Sequence, residues 1–407
     1  MKKVISVLAL TSILAAGSAM ASGYRIPEQS VDSTAKAGAN IASSTRADAA
    51  YYNPANMSWM ADSWNTQLDA TYIHLTSISY EDSRSALFDG ESETENFLVP
   101  TAFMVSPSLG GARIGLAVVA PYGLSKQWKD RYPRAAAEEF SLTTIEVNPT
   151  VSYSFAKMVS VAAGARMLYA DATVKSDAAG LGKPLSREME GDTVEWGWNA
   201  AVSVKPIDKL NVSATYRSKI DMEFEDKAKL NLLGKKVTLD ADVSLPAPAV
   251  FALSVAYDVL PNLNIELTWD RTFWSEYEDL DFNFSPAIPG NPFEPAIVKN
   301  WDDADGFRIG LTYGVTKTLD LMAGFGYDQN PVPDENIQFE LPDSDAWLYS
   351  LGAQYKINDK MDIGVAMLYD YKESRKVNVT RAESIYPKGE FTDAAAILVS
   401  VGLNYRF

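Results

Sequence analysis

From about residue 64 onward, apolar side chains recur at every second position for ten to fifteen residues at a time, and then the pattern breaks. The last stretch is the clearest. Ile397, Val399, Val401, Leu403, Tyr405 and Phe407 share one side of the alternation, and Leu398, Ser400, Gly402, Asn404 and Arg406 share the other. An apolar strand that runs to the final residue is an aggregation hazard unless something apolar covers it. Fourteen segments of this kind are legible, at about 64–76, 96–106, 112–122, 143–155, 158–173, 193–205, 209–224, 248–259, 262–274, 305–316, 318–330, 344–357, 360–373 and 393–407.

The connections between them alternate in length. One set is tight and turn-like, at 107–111, 156–157, 205–209, 260–262, 316–318 and 357–359. The other set is longer and holds most of the acidic charge, as in YEDSRSALFDGESETE at 80–95. Strict alternation places neighbours antiparallel, with turns at one end and loops at the other. This predicts an all-β fold, a transmembrane antiparallel β-barrel of about 14 strands with periplasmic turns and external loops. A soluble β-sandwich rarely sorts its connections this way. One face of the segments carries Leu68, Tyr72, Ile114, Val151, Trp196, Trp198, Leu253, Leu267, Phe307, Tyr349, Leu351, Val365 and Met367, and that face is expected to meet lipid. Closure pairs the last strand with the first, because an unpaired backbone edge in hydrocarbon costs several kcal/mol per group. Phe407 then sits at the periplasmic membrane border.

The amino-terminal end changes the picture in two ways. Lys2 and Lys3 precede an apolar run from Val4 to Leu14, and Ala19 and Ala21 occupy the small-residue positions of a cleavage site. Residues 1–21 therefore read as a secretory signal peptide, and the protein leaves the cytoplasm. No later run approaches the roughly 18 to 20 apolar residues of a membrane-spanning helix. Residues 22–63 lack sustained alternation and are rich in small residues. They read as a compact plug, or hatch, inside the lumen of a barrel formed by 64–407; a fourteen-strand barrel is too wide for side chains alone to fill. A disordered tail is the plainer reading of the same residues.

Charge and composition exclude more than they assign. The formal net charge is −17, and loss of Lys2 and Lys3 with the leader makes it two units more negative, so nucleic acid is a poor partner. There are no cysteines, which removes disulfides, thiolate metal sites and thiol nucleophiles. No metal or other cofactor is implied. At the far end of the third segment, VVAPYGLSKQW (118–128) places Pro121, which cannot donate to a ladder, beside Gly123. Either the wall has a gap at Ala120, Pro121, Tyr122 and Gly123, or the strand simply ends there.

The opening of the mature chain, SGYRIPEQSVDSTAKAGANIASSTRADAAYYNPANMSW, together with VAPYGLSKQW, EVNPTVSYSF (146–155) and VSVGLNYRF, resembles the FadL family of outer-membrane transporters for long-chain fatty acids and aromatic hydrocarbons. The likeness covers essentially the whole mature chain, and its most specific element is the hatch segment ending in Asn53, Pro54 and Ala55. The resemblance implies a monomeric barrel in the bacterial outer membrane, a hatch, a third-strand kink that opens sideways and an apolar binding pocket. It also implies contact with membrane lipid and lipopolysaccharide, and insertion by the barrel assembly machinery through the last strand. It further suggests a capture groove in the loops after the fifth and seventh strands, here 174–192 and 225–247, with Leu230, Leu232 and Leu233 as apolar contacts.

A carrier of greasy molecules must bind them without trapping them. Each buried methylene is worth about 0.8 kcal/mol, so a sixteen-carbon chain gains on the order of 12 kcal/mol. A weak outer site, a tighter inner pocket and a moving hatch follow as expectations. By parity the inward apolar set is Leu98, Met104, Val119, Leu168, Met322, Leu348, Leu368 and Leu398, with Leu168, Met322 and Leu348 as pocket candidates. Inward cations are Arg113, Arg166, Arg217 and Arg308. Arg166 and Arg217 are the candidates for a fatty carboxylate, against the alternative that they pair with Glu146, Glu195, Glu266 or Asp270. Rival classes are a general porin or adhesin, which would share the wall but not the obstructed lumen, and a lipid hydrolase. The chain has one histidine, His74, on the lipid-side parity, with no catalytic partners beside it.

Overall fold

A computed structural model describes residues 23–155, 158–378 and 386–407. The expected leader and the turn at 156–157 lie outside the described residues. The wall is a closed antiparallel barrel of fourteen strands, each neighbouring the next in sequence. They are β1 (Asn65–Leu75), β2 (Glu95–Val105), β3 (Ala112–Val119, resuming as Gly123–Gln127), β4 (Glu139–Phe155), β5 (Val159–Asp177), β6 (Leu185–Ile207), β7 (Leu210–Arg217, extended by Ile220–Leu232), β8 (Lys235–Ala247 and Val250–Leu260), β9 (Leu263–Thr272), β10 (Ala304–Gly314), β11 (Leu319–Asp328), β12 (Ala346–Asn358), β13 (Met361–Lys372) and β14 (Ala395–Arg406). No helix among the described residues is long and apolar enough to cross a membrane.

Closure follows the sequence argument. β1 pairs with β14 from Asn65↔Arg406 to Leu75↔Ala396, and Trp64 and Phe407 exchange backbone hydrogen bonds of 3.1 Å at the turn end. Leu68, Ile114, Val151, Trp196, Leu267, Leu351 and Val401 are each more than half exposed, an apolar outer skin that only hydrocarbon covers favourably. Two inward assignments were inverted. Leu98 and Met104 stand on the lipid side of β2, beside Tyr72 and Thr66 of β1, because Phe97, Val99, Thr101 and Phe103 take the lumen side.

The tall end departs from the expected loops. Residues 174–192 are mostly strand, since β5 runs to Asp177 and β6 begins at Leu185; 225–247 is the upper part of a β-hairpin. The chain there pairs above the membrane without a lipid-facing stripe, and so reads as loop in the sequence. Over this end folds a continuous apolar cluster including Tyr122, Trp128, Leu142, Leu168, Met222, Phe282, Trp301 and Phe339.

Inside the wall lies the amino-terminal segment, with helix α1 (Val31–Ala35), helix α2 (Ala49–Tyr52) and a 3-10 turn at Pro54–Trp59. Ser30 caps α1 by accepting from the Ser33 N–H at 3.2 Å. α1 packs on β11 to β14 and the 3-10 turn on β3 to β6, so the segment spans the lumen. Small residues make this possible: a Cβ on Gly324 would stand 2.2 Å from the Lys36 backbone carbon.

Candidate functional site

The hatch is held by polar anchors rather than by a large apolar face. Asn53 caps α2 and donates to Ile41 O at 2.9 Å and to Ser203 Oγ on β6 at 2.8 Å. Pro54 then starts the 3-10 turn, and Ala55 packs on Ala162 and Ala201 while its carbonyl accepts from Ser160 Oγ at 2.7 Å. Across the lumen, the buried Glu266 carboxylate accepts three successive backbone N–H groups, from Ile41, Ala42 and Ser43, at 2.7 to 2.9 Å. Charged acceptors make such bonds about twice as strong as neutral ones. The sequence placed Glu266 inward but carried no signal for this role.

The wall beside the hatch is interrupted. β2 and β3 share a ladder only from Ala102↔Val118 to Val105↔Gly115. Above Ala102, β2 pairs with β1 alone, and the upper piece of β3 pairs with β4 alone. The two sides meet again at Ser92↔Trp128. The cause is local: Pro121 has no N–H to offer, and the chain leaves the extended path at Ala120. Of the two readings of VVAPYGLSKQW, the strand therefore resumes rather than ends.

The hatch fills the missing rungs. Ile26 N–H donates to Pro121 O at 2.8 Å and Gly123 N–H to Tyr24 O at 2.9 Å. Below them, the Gln29 side-chain amide stands in for a strand. Its Nε2 donates to Ala120 O at 2.9 Å, its Oε1 accepts from Ala120 N–H at 2.8 Å, and Thr101 Oγ1 donates to the Gln29 carbonyl at 2.8 Å. A glutamine in an irregular segment gives no sequence hint of this. An apolar cluster of Ile26, Ala37, Ile73, Leu75, Val99, Ala120, Leu348, Leu368 and Leu398 lies against the seam.

The two predicted cations come together, on a shared anion. Arg166, fully buried, reaches Glu146 Oε2 from Nε at 3.0 Å and also donates to the Ser218 carbonyl. Arg217 pairs with the other Glu146 oxygen and stacks on Tyr51, with Cζ 4.3 Å from the ring centroid. Nearby, Arg25 and Arg308 converge on Asp270, and Arg308 also binds Asp328 at 2.6 Å. Arg25, Tyr51, Tyr122, Arg217, Asp270 and Arg308 line a cavity of ≈ 50 Å³. Small-molecule pockets run to about 300–1,000 Å³, so the cavity is too small for an acyl chain while the hatch is seated. Arg113 instead ties the hatch end, donating to the Met60, Ala61 and Ser106 carbonyls.

The three pocket candidates are buried but dispersed. Leu168 joins the outer apolar cluster, Leu348 the seam cluster, and Met322 packs with Val31 and Ala35 of α1. Strand parity could place them inward, not at one height or on one side of the hatch. Of the capture candidates, Leu230 is buried in the outer cluster, Leu232 packs partly against it, and Leu233 is 76% exposed at the hairpin tip. At the turn end the lumen opens into a vestibule of ≈ 490 Å³ whose lining includes Lys36, Arg46, Lys205, Asp208, Asp258 and Asp320.

Comparison with known proteins agrees over nearly the whole chain. A family model described as outer membrane protein transport protein (OMPP1/FadL/TodX) matches residues 12–407. The chain is 25% identical over 461 residues to outer membrane protein P1 of Haemophilus influenzae, covering 99% of each. It is 25% identical over 365 residues to the long-chain fatty acid transport protein of Escherichia coli O6:H1, covering 78% of this chain and 80% of that one. Among solved structures, a Pseudomonas aeruginosa FadL homologue superposes with a TM-score of 0.84 at 20% identity, covering 95% of this chain and all of that one. The Ralstonia pickettii toluene transporter TbuX superposes at 0.70 with 15% identity, covering 93% and 98%.

Proposed function

The chain belongs to the outer membrane protein transport family of OMPP1, FadL and TodX, and from that premise we propose that its cargo is a long-chain fatty acid. It is an outer-membrane transporter of hydrophobic molecules and not an enzyme. The observation that carries the choice of cargo is charge. Two guanidinium groups, Arg166 and Arg217, share one carboxylate, Glu146, beside the cavity at the hatch. A cation held in excess in a water-poor lumen is stabilised by an incoming anion; a fatty carboxylate supplies one and toluene does not.

The acyl chain is captured at the Leu230, Leu232 and Leu233 hairpin and passes through the outer apolar cluster, and its head then settles on Arg217 with Arg166 behind it. Because the present cavity is far smaller than an acyl chain needs, the tail takes its place only when the hatch segment around Arg25 to Gln29 moves. That segment also fills the gap at Ala120 to Gly123, so the movement that admits the tail also opens the wall. Lateral release is favoured by the alternative's cost. Leaving through the charged vestibule would return each methylene to a polar surface at about 0.8 kcal/mol.

Purified protein offered equal amounts of oleate, hexadecane and toluene, then washed and analysed by mass spectrometry, is expected to retain oleate. Retention of toluene or hexadecane in oleate's place would replace the fatty-acid reading with uptake of uncharged hydrocarbons.

A further inference from the structure

One acid of the hatch has no partner for its charge. Glu28 stands between Ile26 and Gln29, the two residues that fill the broken ladder at Ala120 and Pro121, and it is 3% exposed. Its Oε2 has no hydrogen-bond partner, and no ion pair among the described residues includes it. The cations whose charge reaches it are spent elsewhere. Arg25 pairs with Asp270, and Arg308 divides its guanidinium between Asp270 and Asp328. The other groups that face Glu28, Asp328 on β11 and Asp370 on β13, are themselves acids.

Two guanidinium groups against two aspartates leave no positive charge over, so an ionised Glu28 would stand uncompensated in a water-poor lumen. A buried carboxyl so placed keeps its proton. It can give that proton to an anion brought close, and its position in the chain provides the approach. Arg25 and Pro27, on either side of Ile26, line the same cavity as Arg217, the cation on which the cargo's head settles. Release sets the need. A carboxylate on two guanidinium groups is held by charge-assisted hydrogen bonds, and the seam opens onto hydrocarbon, where an ionised group is costly. Protonation of the cargo removes both obstacles in one step.

We propose that Glu28 hands its proton to the cargo's carboxylate as the hatch moves, so that the fatty acid leaves through the seam as the neutral acid. This rests on the fatty-acid reading above and adds to it the event that frees the head group. The O–H bond of Glu28 breaks, an O–H bond forms on a carboxylate oxygen of the cargo, and the negative charge passes to Glu28. A proton from water then restores the acid, and the return of Glu28 to its buried, unpaired place favours that form.

Glu28→Gln keeps a neutral group of the same shape and removes the proton. Passage of radiolabelled oleate and of radiolabelled oleyl alcohol from nanodisc-embedded protein to excess phosphatidylcholine vesicles is timed for each variant. Glu28→Gln should slow oleate roughly a hundredfold and leave oleyl alcohol, which needs no proton, at the parent rate. Glu28→Asp, which keeps a proton to give, should release oleate faster than Glu28→Gln. Hydrogen exchange of the 117–124 amides should match the parent in Glu28→Gln, because the seated hatch holds a neutral group in either case. Oleate leaving Glu28→Gln at the parent rate would overturn the proton step and leave the fatty-acid reading standing. Equal slowing of both cargoes, faster exchange at 117–124, or an aspartate no faster than the glutamine would overturn it too, since each makes Glu28 a structural prop. A parent protein that retains oleyl alcohol but no oleate refutes the fatty-acid reading and the proton step together.

Discussion

Replacing Gln29 by leucine should unlatch the wall without altering any strand. The change keeps the side chain's bulk and removes both groups that pair with Ala120. Ala120 is 5% exposed, so its N–H and C=O would be left facing a site with little water. An unsatisfied buried polar group costs about 1–3 kcal/mol, and two at the lower half of that range come to about 3 kcal/mol. That is a shift of roughly 150-fold in the equilibrium between closed and open seam. Hydrogen exchange of the Ala120 amide reads this directly. A peptide covering 117–124 should exchange about a hundredfold faster in Gln29→Leu than in the parent protein, while peptides from β5 and β12 keep their protection. Release of bound oleate from nanodisc-embedded protein should quicken in parallel. If the 117–124 amides exchange at the parent rate, the glutamine amide is not what closes the seam, and the coupling of hatch to wall falls with it.

Other outcomes follow from the same geometry. Glu266→Ala removes the acceptor for three hatch N–H groups at a cost on the order of 3 kcal/mol or more, and should raise ion conductance in planar bilayers; a conductance equal to the parent's would place the anchor elsewhere. Arg217→Gln leaves Glu146 balanced by Arg166, so oleate binding should weaken roughly tenfold to a hundredfold while oleyl alcohol is unaffected, measured by ligand titration. Exchanging Pro121, Tyr122 and Gly123 for Val, Thr and Val should complete the β2–β3 ladder and lower uptake of labelled oleate; uptake at the parent rate would argue for another way out. At the tall end, burial pushes the Asp82 carboxyl up, but hydrogen bonds from Arg84 and Tyr80 outweigh it and hold the group below its ordinary value. Its stabilising contribution is present above the unfolded carboxylate value of about 3.9 and is lost as pH falls through the lower folded value. Proteolysis within 79–92 should therefore accelerate at pH 3 relative to pH 5.

Much of the wall was legible because lipid imposes a strict code. Outward positions within the hydrocarbon are predominantly apolar, every edge must be paired, and the two solvents force a period of two that survives in the residue order. The same code fails where one of its solvents is missing. Above the bilayer, at 174–192 and 225–247, strands continue without a lipid-facing stripe, so residue order alone does not distinguish them from loops. On β2, the side taken by Leu98 and Met104 is ambiguous in the sequence because an apolar residue on a strand flanked by others of its kind fits either face; the pairing with Tyr72 and Thr66 decides it.

The sequence alone therefore determined a closed fourteen-strand barrel through its alternation, and it offered, beside plainer alternatives, an amino-terminal hatch from a run of small residues and a gap at Pro121 from a missing N–H. The tertiary structure alone decided who meets whom in the lumen. That Gln29 completes a broken ladder, that Glu266 cradles three amides, and that Arg166 and Arg217 divide one carboxylate between them are contacts across 20 to 225 positions of chain. Polar residues inside a barrel obey no period. Their partners are set by the height and angle at which the wall brings distant strands around the plug, and residue order carries no record of that distance.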